Sequence, residues 1–228
     1  MKPTASLCFG QMEYDLERIY IELRRRKLGV NRFRKRTGEG ISQTFGLVGR
    51  RCLPVDYSRL CWTRPYLYKL LLEFGKKYVD IPWNAITVND NYKAGPHYDK
   101  NNVGESYLIA FGDYEGGELK IHEGELEGYW DVKEKPLVAD FSKMLHSVEP
   151  WHGERFSLVF YSVSLEHKGC TLEIPPPSVR LVDGKFRFFR GEEMIEKGLP
   201  HPLRGKKKAP LQRPKPEVHL PNLQPSQE

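Results

Sequence analysis

Close cysteine pairs are missing from this chain. Cys8, Cys52, Cys61 and Cys170 are scattered, which excludes a zinc knuckle or a dense disulfide framework and leaves reduced, mostly buried thiols as the expectation. Long apolar runs are missing too, and at a mean hydropathy of -0.59 no membrane span is expected. The opening residues MKPTASLCFGQMEYD hold no apolar segment of signal-peptide length, so the expected location is intracellular, nuclear or cytoplasmic, and not secreted. No internal repeat is evident, which sets solenoids and propellers aside, and no motif specifies an oligomeric state.

Within 228 residues the hydrophobic share is 39% and the aromatic share 12%, enough for one buried core. The net charge of +6 makes a polyanionic partner such as nucleic acid reasonable, since lysine and arginine release counterions when they neutralise phosphates. Much of that charge lies in RRRKLGVNRFRKR (Arg24 to Arg36) and RGKKK (Arg204 to Lys208); such runs also form ordinary solvated faces or tails. Lys206 to Lys208 alone is a poor basis for a nuclear address.

An amphipathic helix is expected over residues 13–28, where Leu16, Ile19, Tyr20 and Leu23 recur on one face and Gly29 supplies a stop. A second is expected over 64–78, with Thr63 as cap, Pro65 in the first turn, and Leu67, Leu70, Leu71 and Phe74 facing inward. Between them TGEGISQTFGLVGRRCLP reads as an ordered loop with short extended pieces. From residue 84 the period changes: NAITVNDNY, ESYLIAFG, GGELKIHEG, PLVADF and RFSLVFYSV are short β-branched or aromatic segments between turn residues. The fold class expected is mainly β with flanking helices, a sandwich or barrel packed by the two helices. VRLVDGKFRFFR adds a hairpin across Asp183 and Gly184. The expected organisation is 1–83 as helical and loop elements, 84–198 as the core with its hairpin, and 199–228 as a disordered tail rich in proline and lysine.

In GPHYDK, His97 and Asp99 lie two apart at a strand end, so an extended backbone points both to one side. A second histidine, His146, precedes the segment RFSLVFYS. Two imidazoles and a carboxylate on a rigid scaffold can take one face of an octahedron and leave adjacent positions open, the arrangement Fe(II) oxygenases use, whereas zinc is normally held more closed. A 2-oxo acid fills two open positions and dioxygen the third. Beyond His146, Arg155 and Ser157 alternate in register; a guanidinium fork plus a hydroxyl suits the far carboxylate of 2-oxoglutarate, which lysine could not grip in the same way. His152 competes with His146 as third ligand, but it stands only three residues before Arg155. His122 follows Gly116 and Gly117 and reads as an exposed residue.

These residues resemble the Fe(II)/2-oxoglutarate dioxygenases, whose core is a double-stranded β-helix or jelly roll. The likeness spans about Ile86 to Ser162 and includes H-x-D, the DYEGGEL turn, the distal His146 and the R-x-S of Arg155 and Ser157. PHYDKNN and RFSLVFYS are most similar to the TET/JBP branch, which oxidises the 5-methyl group of thymine or 5-methylcytosine in nucleic acid. The resemblance implies Fe(II), 2-oxoglutarate and O2 as cofactor and co-substrates, DNA as the substrate, and Asn102 as the contact to the target base. No cysteine-rich zinc-binding insert precedes the core, and Lys100 and Asn101 depart from the branch's pattern. Prolyl and lysyl hydroxylases share H-x-D, the GG turn and the distal histidine, so a protein side-chain substrate is the alternative. A non-catalytic jelly-roll module is the third reading.

Asn102 could equally bond its own turn. Asn89 and Tyr92 are candidates for the 2-oxoglutarate pocket on the strand leading to His97. Arg50, Arg51 and Arg64, among Phe45, Tyr57, Trp62 and Tyr66, are candidates for phosphate contact or for shaping the mouth of the site; their plain alternative is surface arginine beside packing aromatics.

Overall fold

The computed structural model describes residues 5–29, 38–50, 53–167 and 170–196. Arg51, Cys52, Arg32 to Arg36 and the expected tail at 199–228 lie outside the described residues, as does the side chain of Arg50. In chain order the elements are α1 (Ala5–Arg25), β1 (Gly38–Arg50), β2 (Leu53–Tyr57), α2 (Leu60–Thr63), α3 (Pro65–Tyr78), β3 (Ala85–Ala94), β4 (Asn102–Phe111), β5 (Tyr114–Gly116) and β6 (Leu119–Ile121). They continue with β7 (Gly128–Trp130), β8 (Leu137–Ala139), β9 (His146–Val148), β10 (Trp151–Gly153), β11 (Phe156–Val163), β12 (Glu166–His167), β13 (Cys170–Thr171), β14 (Pro177–Val182), β15 (Lys185–Arg190) and β16 (Glu193–Ile195). No described helix is long and apolar enough to cross a membrane.

Six strands form an antiparallel sheet in the order β2-β1-β3-β11-β4-β8, and β7-β6-β9 form a second, smaller sheet. The fold is mainly β, as expected, with helices packed on the larger sheet and the smaller sheet packed on its other face. Period-2 alternation explains why the central strands read as continuous apolar runs: both faces of the large sheet are buried. Ile86, Val88, Ile109, Phe111, Phe156, Leu158 and Phe160 join Leu16, Ile19 and Leu23 of α1 and Leu67, Leu71 and Phe74 of α3 in one cluster. Their neighbours Ala85, Leu108, Ala110, Val159 and Tyr161 turn the other way and pack with Leu119 and Ile121 of the small sheet. Phe160 is central to the helix side, stacked on Phe74 with centroids 5.9 Å apart and met edge-on by Trp83 at 5.2 Å.

Several local expectations change. The segment read as a loop after α1 is largely β1, the strand between β2 and β3. It turns Phe45 and Leu47 to the helices but buries Ser42 and Thr44 on its other face, and the Thr44 hydroxyl pairs with that of Thr87 at 3.1 Å. Small polar side chains satisfied in this way gave the strand a loop's composition. Helix α1 starts before the expected residue 13 and ends at Arg25. At its end Arg64 donates to the carbonyls of Arg26 and Lys27, satisfying acceptors a helix terminus leaves open. Arg64 therefore closes a helix end, and Tyr57, Trp62, Tyr66 and Tyr68 pack on the rings of Phe186 and Phe188, so these aromatics serve packing. Thr63 does not cap α3; its hydroxyl donates to the carbonyl of Arg59, while Pro65 does open the helix. The hairpin at Asp183 and Gly184 forms as expected, with positive φ of 49° and 70° at its two central residues. Cys61 is buried and free, and burial pushes its thiol up to about 11.

Gly75 supplies a test of how tightly α3 meets the sheet. A Cβ there would lie 2.5 Å from a ring carbon of Trp83 and 2.7 Å from one of Phe160. Gly75→Ala gains about 1 kcal/mol of helix propensity but incurs about 1–3 kcal/mol of overpacking against rings that cannot swing aside. A lower midpoint in urea unfolding is expected; a raised midpoint would show that the rings yield.

Candidate metal centre and the cavity behind it

β3 ends at Ala94, and Gly95 and Pro96 carry the chain off the sheet. His97 immediately pairs again: its N–H donates to the carbonyl of His146 at 3.0 Å, and its carbonyl accepts from the N–H of His146 at 3.0 Å. Residues that exchange both hydrogen bonds in an antiparallel pair present their side chains on the same face. The two imidazoles accordingly sit with centroids 4.3 Å apart. Asp99 follows after two residues, fixed by its N–H donating to the carbonyl of Phe141 at 2.9 Å, with Oδ1 3.5 Å from His97 Nε2. One ligand atom from each of His97, Asp99 and His146 lies within 4.8 Å of the other two.

The ring nitrogens are sorted by their partners. His97 Nδ1 is 2.7 Å from the carbonyl of Gly95, and His146 Nδ1 is 2.9 Å from that of Met144. A carbonyl only accepts, so each Nδ1 carries the hydrogen and each Nε2 keeps a lone pair for a cation. The Asp99 carboxylate raises the pKa of His97, and burial lowers that of His146. Asn102 donates through Nδ2 to Asp99 Oδ2 at 3.3 Å and to Ser106 Oγ at 3.1 Å. Two imidazoles and one carboxylate, with no fourth His, Cys, Asp or Glu in the group among the described residues, fit a cation that keeps open positions, as Fe(II) does.

The cavity behind these ligands runs inward between the sheets past Leu108, Leu119, Val148 and Val159 to Arg155, Ser157 and Asn89, with Thr87, Tyr92 and Tyr161 also on its walls. Ser157 stands opposite Asn89 in the β11–β3 register, and Asn89 Nδ2 donates to its hydroxyl at 3.0 Å. Arg155 is only 3% exposed, and no ion pair reaches it among the described residues. Its Nε and Asn89 Oδ1 are buried without hydrogen-bond partners. Its guanidinium lies 5.4 Å from the ring centre of Tyr114 and 5.6 Å from that of Trp151, and burial lowers its pKa. The backbone of Arg155 is held by Asn91, whose N–H donates to the Arg155 carbonyl at 2.8 Å and whose Oδ1 accepts from the Arg155 N–H at 2.9 Å. Gly117, at φ +73°, lets the chain pass close to the guanidinium: a Cβ there would be 2.9 Å from Arg155 Nε.

His97, Asp99, His146, Arg155, Ser157, Asn89, Tyr92 and Asn102 thus line one cavity. His152 is exposed on β10, outside the cluster. His122, read as exposed, is half-buried, and its Nε2 is 2.9 Å from Ser147 Oγ. The contacts of Asn91, Tyr114, Gly117 and Trp151 with Arg155 were not read from the sequence. The Gly116-Gly117 doublet was a visible signal, but the ring contacts depend on β5 pairing with β10, Tyr114 opposite Gly153, which no local pattern announces.

No family model matches the chain, and no curated protein matches it. Among solved structures it is similar to NgTET1 in complex with 5mC DNA, at 14% identity over 72% of this chain and 70% of that one, with a TM-score of 0.46. It is also similar to a 2OG-Fe(II) oxygenase family oxidoreductase from Burkholderia pseudomallei, at 18% identity over 64% and 76%, TM-score 0.45. A third similarity is to a Pseudomonas putida prolyl-4-hydroxylase, at 13% identity over 67% and 85%, TM-score 0.43. At these values the chemistry assigned to the site rests on this chain's own residues.

Asn102 orients the carboxylate that would ligate the metal, and partners of this kind typically carry about 10- to 100-fold in metal affinity. Titration calorimetry with Mn(II) is expected to show one site, weakened by about that factor in Asn102→Ala and unchanged in His152→Ala. Equal losses in the two variants would contradict the assignment of ligands.

Proposed function

We propose that this chain is an Fe(II)- and 2-oxoglutarate-dependent dioxygenase that hydroxylates a C–H bond, with the 5-methyl group of a pyrimidine in DNA as its substrate. One observation carries the enzymatic reading: a three-ligand cluster at the mouth of a cavity and, deep in the same cavity, a buried guanidinium with no ion-pair partner among the described residues. A buried cation of that kind calls for an anion, and a diacid that also chelates the metal answers both ends.

His97, Asp99 and His146 would hold the iron, which when bound supplies the activation of dioxygen coupled to decarboxylation of the 2-oxo acid to succinate. The protein's own contributions are positional. Arg155 and Ser157 take the far carboxylate, Asn89 orients the serine hydroxyl, and Leu108, Leu119, Val148 and Val159 wall the space between with apolar surface that excludes water. The Nδ1 hydrogen bonds of both histidines keep the Nε2 lone pairs aimed at one point.

The H-x-D-x-x-N pattern and the net charge of +6 support DNA as substrate. A base in a duplex would be flipped into the cavity mouth, at a cost of a few kcal/mol. A protein side-chain hydroxylase of the prolyl or lysyl kind is the second reading. It is favoured by the commitment of Asn102 Nδ2 to Asp99 and Ser106, which takes that donor away from a base edge.

Mixing the protein anaerobically with Fe(II) and 2-oxoglutarate is expected to give the weak visible charge-transfer band of the chelate, and no band would refute the enzymatic reading. Arg155→Lys, which loses the fork, is expected to raise the KM for 2-oxoglutarate roughly 10- to 100-fold while metal binding stays intact. Nucleosides from treated methylated DNA are expected to include 5-hydroxymethylpyrimidines. Their absence, with oxidised residues appearing in peptides instead, would move the substrate to protein.

A further inference from the structure

We propose that the β5–β10 ribbon is a clamp that sets the reach of Arg155, and that through it Tyr114 and Trp151 determine which length of 2-oxo diacid the cavity accepts; this rests on the co-substrate reading above. The two strands form their own two-stranded sheet, with Trp151 opposite Gly116 and Gly153 opposite Tyr114. They contribute the rings that flank the guanidinium at 5.4 Å and 5.6 Å. Neither ring is among the residues lining the cavity, so both act through Arg155 and are positioning residues.

The ribbon is itself braced. Lys133 Nζ donates to the backbone carbonyl of Tyr114 at 2.8 Å and lies 4.8 Å from the centre of the same residue's ring. Gly117, directly after β5, leaves room for the guanidinium, and its missing side chain would also meet Trp151 Cβ at 3.1 Å. A guanidinium on a long flexible stem ordinarily samples many rotamers. Here its backbone is held by Asn91, its guanidinium carbon lies within reach of two aromatic rings, and no carboxylate pairs with it among the described residues. The rings, together with the polar contact of the Tyr114 side chain that favours the charged guanidinium, therefore supply the restraint a salt bridge would otherwise give, while Nε stays without a partner. A fixed guanidinium facing a fixed metal cluster defines one distance between carboxylate and 2-oxo acid ends, and so one chain length.

The test uses Zn(II), redox-silent, in place of iron, and reads binding by titration calorimetry. The wild-type protein with Zn(II) is expected to bind 2-oxoglutarate at least tenfold tighter than the one-carbon-longer 2-oxoadipate. Trp151→Leu and Tyr114→Leu are expected to weaken 2-oxoglutarate at least tenfold and to shrink the preference over 2-oxoadipate, with Zn(II) binding unchanged; Trp151→Phe is expected to restore both. If the leucine variants bind 2-oxoglutarate like the wild type, or lose it together with Zn(II), the clamp is overturned. If the wild type with Zn(II) binds neither diacid, the co-substrate reading itself falls.

Discussion

The two backbone hydrogen bonds exchanged by His97 and His146 are the contact on which the functional site depends. They join the chain leaving the large sheet to the first residue of β9 in the small one. Side chains alternate along extended backbone, so a slip of one residue in either partner would send one imidazole to the opposite face. The same pairing leads the chain toward Asp99, whose N–H then finds the Phe141 carbonyl, and it places the ring of His146 4.8 Å from that of Phe141. The site is thus a product of sheet register, with the flanking helices supporting it from the far side.

A second constraint opposes stability. Removing a guanidinium from water without a paired charge costs several kcal/mol, and the fold bears that cost at Arg155. The surrounding structure is built to hold it: rings on two sides, the Asn91 amide on its backbone, and a glycine where any side chain would intrude. Such local conflicts between burial and charge mark functional positions more often than errors of packing. α1 also reaches this region, since the Tyr20 hydroxyl donates to Glu154 Oε2 at 3.0 Å and Arg24 pairs with the same oxygen at 3.1 Å, tying the helix to the residue just before Arg155.

What was legible in the sequence followed from period and spacing. β3, β4 and β11 announced themselves because both of their faces are apolar, the hairpin at Asp183-Gly184 because its turn demands positive φ, and the proximity of His97 and Asp99 because a spacing of two on extended backbone turns both side chains to one side. What was not legible depends on pairing across long separations. β1 resembled a loop because Ser42 and Thr44 meet polar partners inside. Arg64 looked like a surface cation, yet it is spent on the end of a helix 38 residues earlier in the chain. Asn102 was placed at the site, but its bonds to Asp99 and Ser106 appear only once the turn is folded. The rings around Arg155 belong to this second class.

The most direct test is anomalous diffraction at the iron edge from crystals grown without oxygen in Fe(II) and 2-oxoglutarate. The account predicts one iron bound by Nε2 of His97, Nε2 of His146 and the Asp99 carboxylate, with the far carboxylate of the diacid on Arg155. Iron at His122 or His152, or imidazoles bound through Nδ1, would contradict it.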